Sequence, residues 1–292
     1  MPFKQLYSGL FLHSLTTLNF NLMKKNRNLH YIILLIAVLL TSCEKVIQLD
    51  LNTTVPQLVI QGDIYDEPGP YVINISKTVN FDQSNVYPPV TNATVTVIDN
   101  AGQSEELTQA TPGNYVTSSL KGIIGRTYTL KVTIDDKTYT SVSTMPEPVD
   151  IDTIYLKKSV FGGNLIALNL INPPNTDNYY QVIHLVNGKQ IPGFSVFAKK
   201  STQFESISYS FMTTSATPPL IAGDSIKVWL ECIDHGVFEY FRTANKDAGR
   251  STSPSNPVSN ITNGALGYFN ACSVRKKVFI FPEEKHITTT IN

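Results

Sequence analysis

The chain lacks any apolar run long enough to cross a membrane as a helix. Its clearest apolar run, residues 31–40, has ten residues, and a helix of that length is about 15 Å long at ~1.5 Å per residue. The hydrocarbon core of a bilayer is roughly 30 Å thick. This shortage excludes a stable transmembrane anchor and leaves the run as the apolar part of a removable signal.

Acidic side chains are absent from residues 1–42. Lys24, Lys25 and Arg27 precede the apolar run, and a positive segment followed by an apolar segment and small residues is typical of a secretory signal peptide. Residues 1–42 are therefore predicted to be a signal sequence that is removed. Since residues 1–22 would overextend the positive segment, Met23 is the expected start of translation.

The signal ends on the residues Leu40-Thr41-Ser42-Cys43. This Leu-x-Ser-Cys pattern resembles the lipobox, in which the cysteine thiol receives a diacylglycerol and the cysteine becomes the first residue. Two or three acyl chains, at ~0.8 kcal/mol per buried CH₂, hold a protein on a bilayer essentially permanently. The pattern predicts lipidation at Cys43 and a short tether over residues 43–47. The alternative is a chance cysteine behind an ordinary secretory signal.

Cysteine is scarce, with three residues in 292. Besides the lipidated Cys43, processing would leave Cys232 and Cys272. An exported protein meets an oxidising compartment in which such a pair can close a disulfide. Two separate buried thiols are the other alternative, and the sequence does not set the distance between them.

Neither sign of charge dominates, because 23 Lys and Arg residues balance 23 Asp and Glu residues. Four of the basic residues lie in residues 1–42, so the processed chain has 19 basic and 23 acidic side chains and a net charge of −4. A mildly acidic body is a poor ligand for nucleic acid and offers no polybasic patch to a membrane surface. Membrane attachment is therefore expected through the lipid.

Motifs of catalysis and of cofactor binding are also missing. The sequence has no Gly-x-x-x-x-Gly-Lys-Ser/Thr loop and no His-Glu-x-x-His pair, and residues 193–197 lack the closing glycine of a nucleophile elbow. His184, His235 and His286 are scattered, with no two at metal-ligand spacing. We expect no catalytic residue, no metal and no cofactor, and we do not expect an enzyme.

One turn is crowded with the carboxylates of Asp63, Asp66 and Glu67. Oxygen ligands of this kind suit Ca²⁺, and Asp150 and Asp152 form a second such set. Neither set matches the EF-hand spacing, and acidic residues beside Pro and Gly are ordinary turn formers. The turn interpretation is therefore favoured over a calcium site.

Long helices are absent from the pattern that follows residue 44, which consists mainly of short strands and turns. In residues 127–134 the apolar Tyr128, Leu130, Val132 and Ile134 alternate with polar residues, the signature of a half-buried strand. Further strands are predicted in this part of the chain at residues 57–64, 71–77, 93–98 and 137–143. Since no helix connects them, residues 48–145 are predicted to form an immunoglobulin-like β-sandwich of ~100 residues.

Pro146 and Pro148 mark the predicted domain boundary, because prolines remove ladder donors and stiffen the chain. Residues 146–292 are predicted to form a second β domain, with strands at residues 151–157, 165–170, 179–186, 204–212, 225–233 and 266–280. Residues 234–244 break the pattern, because Asp234 suits an N-cap and apolar residues then recur at helical spacing. The predicted fold class is all-β, with two immunoglobulin-like β-sandwich domains and one short helix in the second.

Several short motifs of the processed chain resemble those of one family of Bacteroidetes lipoproteins. They are Cys43-Glu44-Lys45-Val46-Ile47, Gly69-Pro70-Tyr71, Val79-Asn80-Phe81 followed by Pro88-Pro89-Val90, Pro112-Gly113-Asn114-Tyr115, Ser143-Thr144-Met145-Pro146, and Asn256-Pro257-Val258-Ser259-Asn260 followed by residues 264–269. Over nearly the whole processed chain the sequence resembles the DUF4249 family. The resemblance implies an outer-membrane-associated lipoprotein, often encoded beside a TonB-dependent receptor, and it brings no catalytic residues with it.

On this basis we expect a non-catalytic, lipid-anchored outer-membrane lipoprotein that binds a ligand or assists a TonB-dependent receptor in nutrient uptake. Its expected partners are the membrane, through the N-terminal lipid, and the receptor, with no nucleic acid. Glu44 and Lys45 do not form a strong acidic export signal, so the sequence does not decide between the periplasmic face and the cell-surface face of the outer membrane. A structural or adhesive spacer is the alternative function, and a cell-envelope hydrolase ranks below it.

Two three-residue motifs, at residues 152–154 and 224–226, resemble the Asp-Ser/Thr-apolar sequon of the Bacteroidetes O-glycosylation system. They identify Thr153 and Ser225 as candidate O-glycosylation sites. A motif this short also occurs by chance, so unmodified residues at strand ends are the alternative.

Overall fold

The computed structural model describes residues 55–80, 86–158, 164–193, 195–211, 220–247 and 256–282. The predicted signal, Cys43 and the tether therefore lie outside the described residues. Within the described ranges, no helix is both long and apolar enough to span a membrane.

Strands make up most of the described chain, and a single helix interrupts them near its end. In chain order the elements are β1 (Leu58–Tyr65), β2 (Val72–Lys77), β3 (Ala93–Asp99), β4 (Ser104–Glu106), β5 (Thr108–Thr111), β6 (Asn114–Val116), β7 (Thr127–Ile134), β8 (Lys137–Thr144), β9 (Ile151–Lys158), β10 (Asn164–Asn172), β11 (Asp177–Val186), β12 (Lys189–Gln190), β13 (Ser195–Lys200), β14 (Glu205–Phe211), β15 (Ser225–Ile233), α1 (His235–Asp247) and β16 (Leu266–Ile280).

The longer strands follow the alternation of the sequence. In β7 the apolar Tyr128, Leu130 and Val132 are buried, and every strand predicted from the sequence is present within a few residues of its predicted bounds. Five strands were not predicted, namely β4, β5, β6, β12 and β13. They have two to six residues each, which is too short to show a clear period of two.

The strands form three sheets. The largest has nine strands in the order β12-β11-β15-β16-β1-β2-β6-β5, with β13 also paired to β11. A four-stranded sheet has the order β4-β3-β7-β8, and a three-stranded sheet has the order β14-β10-β9. Of the strand pairings in the described chain, that of β1 with β16 is parallel and the others are antiparallel.

Two hydrophobic cores are each enclosed between two sheets. The first combines residues of β1 and β2, such as Ile60, with residues of the four-stranded sheet, such as Val97. The second combines residues of the three-stranded sheet, such as Leu168, with residues of β11 and β15, such as Leu230. Sheets that pack face to face over a shared core form a β-sandwich. The prediction of an all-β sandwich fold with one short helix in its second half is confirmed.

β16 takes part in both halves of the molecule. Its first part pairs in parallel with β1, and its later part pairs antiparallel with β15. Phe269 and Ala271 belong to the first core, and Phe279 packs against the second. Residues 54–292 form one compact unit, and the division at residue 146 into two domains stays a prediction.

The helix α1 packs on the face of the nine-stranded sheet that is turned away from both cores, which we call the outer face. Val237, Phe238 and Phe241 of the helix form a third apolar cluster with Ile233 and Cys272 of the sheet. The apolar spacing that predicted a helix over residues 234–244 thus corresponds to a real contact surface, and the helix runs three residues further.

Asp234 fixes the start of this helix. Its Oδ1 accepts a hydrogen bond from the backbone N of Val237 at 2.9 Å, as an N-cap does. Its Oδ2 accepts from the backbone N of Thr144 at 3.1 Å and from the hydroxyl of Ser143, both at the end of β8. One carboxylate therefore joins the helix to the four-stranded sheet.

Replacing Asp234 with Ala should lower the free energy of unfolding by roughly 3 kcal/mol, because the helix loses its cap and two donors of β8 lose their acceptor. Urea denaturation of the purified protein measures this change. The matched control is Asp152→Ala, an exposed carboxylate on β9, which should stay within about 0.5 kcal/mol of wild type. Equal effects of the two substitutions would contradict the role given to Asp234.

Candidate functional site: a groove on the outer sheet face

The outer face of β1 and β2 forms the floor of a groove. Because strand residues alternate between faces, the burial of Ile60, Ile73 and Ile75 in the first core turns the intervening side chains outward. The outward side chains that form the floor are those of Val59, Gln61, Asn74 and Ser76, and Thr78 lies just beyond β2. These floor side chains are therefore uncharged, and all of them except Val59 are polar.

Rings form the walls of this groove. Tyr240 of α1 and Pro257 lie on the β16 side, and Tyr87, Pro89 and Pro112 lie on the β2 side. Aromatic and proline rings are rigid, so the walls present preformed apolar surfaces above a polar floor.

The wall beside β2 is held by backbone hydrogen bonds. The N of Lys77 donates to the carbonyl of Pro88 at 2.9 Å, and the N of Val90 donates to the carbonyl of Ile75 at 3.0 Å. Gly113 has a φ of +77°, and a Cβ there would lie 2.8 Å from the carbonyl oxygen of Ile75. Only glycine allows the chain to approach β2 this closely.

The wall beside β16 is held by side chains that make hydrogen bonds to the backbone of β16, in the place of a neighbouring strand. The amide of Asn260 accepts from the N of Phe269 at 3.0 Å and donates to the carbonyl of Phe269 at 2.8 Å. The hydroxyl of Ser259 donates to the carbonyl of Gly267 at 2.9 Å. These bonds hold the segment that carries Pro257 against β16.

The groove has a volume of about 590 Å³, within the roughly 300–1,000 Å³ of small-molecule sites. Its lining consists of Val59, Gln61, Asn74, Ile75, Ser76, Thr78, Tyr87, Pro89, Pro112, Tyr240, Pro257, Leu266 and Gly267. None of these side chains carries a charge.

A part-buried carboxyl lies next to the groove, beside Tyr268. Asp63 follows Gln61 by two residues on the same face of β1. Its Oδ1 accepts from the amide of Asn270 at 3.0 Å, and its Oδ2 accepts from the hydroxyl of Tyr268 at 3.2 Å. Burial raises the pKa of the Asp63 carboxyl to about 6, although both hydrogen bonds act in the opposite direction.

Glu231 of β15 is another carboxyl on the outer face and is fully buried, with 1% of its surface exposed. Its pKa is raised to about 8, mainly by burial and further by the negative charge of Asp63, while Lys276 acts in the opposite direction. Glu231 is therefore mostly protonated at neutral pH. Neither it nor Asp63 lines the groove.

Tyr240 connects the groove with this acidic region. Its ring centroid lies 4.9 Å from that of Tyr268, and its hydroxyl is hydrogen-bonded to the side chain of Gln61. Tyr268 in turn donates to Asp63. A ligand that contacts Tyr240 thus touches a residue that packs directly on the hydrogen-bond donor of Asp63.

A family model described as "Domain of unknown function (DUF4249)" matches residues 44–278. The chain belongs to the DUF4249 family. The resemblance seen in the sequence is therefore confirmed. Of the motifs that carried it, three supply groove walls of this DUF4249 protein, through Pro89, Pro112 and Pro257.

Comparison with other proteins adds little to the family assignment. None of the curated proteins compared with this DUF4249 chain matches it. Among solved structures, the chain is similar to a two-domain fibronectin type III segment of chicken tenascin, with 10% identity and a TM-score of 0.22. That match covers 77% of this chain and 99% of the tenascin segment, and at this TM-score it carries no argument.

The two cysteines of the described chain are free and buried. Cys232 pairs across strands with Ser273, so Cys272 points to the opposite face of the sheet. Cys232 lies in the second core and Cys272 lies under the helix. A disulfide between them would require one strand to turn over, because the Cβ atoms of a bridged pair must point toward each other.

The candidate O-glycosylation sites remain predictions. Thr153 is exposed on β9, whereas Ser225 is part-buried at the start of β15. The backbone N of Ser225 donates to the side chain of Asn187 at 2.9 Å, which holds the start of β15 against the turn after β11.

The crowded acidic turn contacts cationic side chains of β16. Asp66 accepts from the guanidinium of Arg275 at 2.8 Å, and Glu67 forms an ion pair with Lys276. Asp150 also pairs with Arg275, at 3.2 Å. In the part of the chain that the structure describes, no three His, Cys, Asp or Glu side chains are grouped so that they could hold a metal ion.

The histidines lie apart from the groove. His184 is buried in β11, and burial lowers its pKa. His235 begins α1, with its ring centroid 5.3 Å from that of Tyr179, and His286 lies outside the described residues. His184 and His235, the two histidines of the described ranges, therefore do not line the groove.

Sequence reasoning missed both the groove and the burial of Glu231. The groove is assembled from segments far apart in the chain, so no local sequence motif predicts it. One signal was available: Gln61, Asn74 and Ser76 are the uncharged polar members of two alternating strands. The alternation does not show that β1 pairs with β2, and this pairing is what brings the three side chains together.

Proposed function

We propose that this DUF4249 protein is a lipid-anchored, non-catalytic outer-membrane lipoprotein that binds a ligand in the groove and assists a TonB-dependent receptor in nutrient uptake. The lipobox at Cys43 supports the anchor. The observation that carries the binding role is the groove itself, about 590 Å³ in volume, with a polar floor and ring walls.

The groove favours ligand binding over the spacer alternative. A spacer requires only a convex polar surface, whereas a concave site with rigid apolar walls and a few convergent polar groups is typical of small-molecule recognition. A spacer function does not require a depression lined by rings such as those of Tyr87 and Tyr240.

The same site argues against the hydrolase alternative. General acid–base catalysis of glycoside cleavage uses two carboxyl groups that reach the substrate. Among the described residues, the groove lining includes no carboxyl group, and the buried Glu231 does not line it. This geometry supports a binding protein whose acidic groups serve the fold.

Replacing Cys43 with Ala should move the protein from the membrane fraction to the soluble fraction, because the acyl chains would have no attachment site. Fractionation of cells followed by immunoblotting measures the distribution. The control is Ser42→Ala, which keeps a small residue before the cleavage site and should leave the protein in the membrane. Tight membrane association of the Cys43 variant would contradict the anchor.

Affinity purification from detergent-solubilised outer membrane tests the receptor role. A TonB-dependent receptor should co-purify with the lipidated protein, and a deletion strain should take up the receptor's substrate more slowly. If no receptor co-purifies and uptake in the deletion strain is unchanged, the receptor role is wrong.

A further inference from the structure

We infer that the groove binds a short, neutral oligosaccharide. This inference rests on the proposed binding role of the groove and names the chemical class of its ligand. It is carried by three properties of the described lining: the lack of charge, the hydrogen-bonding groups of the floor and the rings of the walls.

The lack of charge selects against ionic ligands. None of the thirteen described residues that line the groove is acidic or basic. Phosphates and carboxylates are recognised by Arg, Lys or helix N-termini, and cations are recognised by carboxylates. A ligand that leaves bulk water for this groove without an ionic partner is therefore neutral.

The floor offers the groups that sugar hydroxyls need. Gln61, Asn74, Ser76 and Thr78 carry amides and hydroxyls, which both donate and accept hydrogen bonds as sugar hydroxyls do. The amide of Asn74 donates to Asn114 Oδ1 at 2.8 Å, which fixes its orientation before any ligand arrives. Such preorganisation lowers the entropy lost on binding.

The walls suit the apolar faces of sugar rings. Tyr87 is 54% exposed, so its ring is accessible to a ligand. The ring of Tyr240 is held by Tyr268 at 4.9 Å and by Phe241 at 5.2 Å between centroids. Tyrosine combines an apolar ring face with a polar hydroxyl, and a pyranose likewise has apolar C–H faces and polar edges.

A peptide fits this groove less well. Extended peptides gain affinity by adding a strand to an open sheet edge. The floor strands have no open edge, because β1 pairs with both β2 and β16, and β2 pairs with both β1 and β6. A peptide in the groove would leave its own backbone groups with side-chain partners only.

The test uses the full-length lipidated protein in micelles of a detergent without sugar headgroups. Isothermal titration is performed with tetrasaccharides of glucose, xylose and mannose, with tetragalacturonate as the charged comparison and with acetylated tetra-alanine amide as the peptide comparison. At least one neutral tetrasaccharide should bind with a Kd below about 1 mM, and the charged sugar and the peptide should bind at least tenfold more weakly.

Two variants locate the binding. Tyr87→Ala removes an exposed wall ring and Gln61→Ala removes a floor amide, and each should weaken binding about tenfold, as the loss of one good contact does. The matched control is Phe204→Ala, because Phe204 is an exposed ring, 71% accessible, outside the groove. Equal denaturation midpoints of the variants would show that folding is unaffected.

Three results would overturn the inference: no neutral tetrasaccharide binds, the peptide or the charged sugar binds best, or binding is insensitive to both groove variants. These outcomes are separable from a failure of the proposed function. If a receptor co-purifies with the protein while the sugars do not bind, the receptor role survives and the ligand class is wrong.

Discussion

Replacing Glu231 with Gln should remove most of the loss of folding stability that the wild-type protein suffers between about pH 4.5 and pH 8. Glu231 is 1% exposed, and its pKa in the folded protein is about 8 against an ordinary value of 4.5. Burial is the largest cause, because a charged carboxylate loses its hydration in the protein interior.

The sign of the effect follows from proton binding. Below pH 4.5 Glu231 is protonated in both states, so it adds no pH dependence. As pH rises, the unfolded chain releases the proton first, which stabilises the unfolded state until the folded protein also ionises near pH 8. At about 1.4 kcal/mol per pKa unit, the difference corresponds to roughly 5 kcal/mol.

The measurement is the free energy of unfolding in urea at pH 5 and at pH 8. Wild type should be several kcal/mol less stable at the higher pH, and Glu231→Gln should show a much smaller difference. A slope at acidic pH should persist in the variant, because Asp63 has its own raised pKa of about 6. The control Glu147→Gln changes an exposed carboxyl and should keep the wild-type slope. A variant of Glu231 with the wild-type slope would contradict the assignment.

Replacing Gly267 with Ala should destabilise the protein by roughly 3–5 kcal/mol, the sum of backbone strain and overpacking. Gly267 has a φ of +96°, and a Cβ there would lie 2.0 Å from the carbonyl oxygen of Ile60. No rotation of a side chain relieves this contact, because the obstructing atom belongs to the backbone of β1. The two strands would have to separate where their parallel pairing begins.

Gly264→Ala separates the two contributions. Gly264 has a φ of +76°, yet its Cβ would meet no atom within 4 Å. That variant should lose only about 1–2 kcal/mol, the cost of the left-handed backbone. Urea denaturation of both variants measures the difference. If Gly267→Ala is no worse than Gly264→Ala, the close approach of β16 to β1 is wrong.

Local pattern predicted the elements well, because alternation in a strand and apolar spacing in a helix are direct consequences of burial on one side. β7 and α1 are examples. The parallel pairing of β1 with β16 joins residues about 200 positions apart, from Val59 with Leu266 to Tyr65 with Cys272. Nothing in either strand alone identifies its partner, so the shared strand was not predicted.

The burial of Glu231 was not predicted either, and the reason lies in the pattern of its strand. In β15 the residues Ile226, Val228 and Leu230 face the second core, so alternation places Glu231 on the opposite, nominally solvated face. That expectation is wrong, because this face of β15 is covered by other parts of the fold: Glu231 is 1% exposed, and Ile233 on the same face packs with the helix. Burial of a polar side chain by elements distant in the chain cannot be predicted from its own strand.

The central claim, that the groove captures a neutral oligosaccharide for uptake, is tested most directly by growth at limiting sugar. Strains of the source organism would carry wild type, the Gln61→Ala, Tyr87→Ala double variant, the Phe204→Ala control or a deletion. On at least one neutral oligosaccharide, the double variant and the deletion should grow more slowly than wild type and the control, with the difference vanishing at saturating sugar. Equal growth of the double variant and wild type on every sugar, beside a slower deletion strain, would contradict the claim.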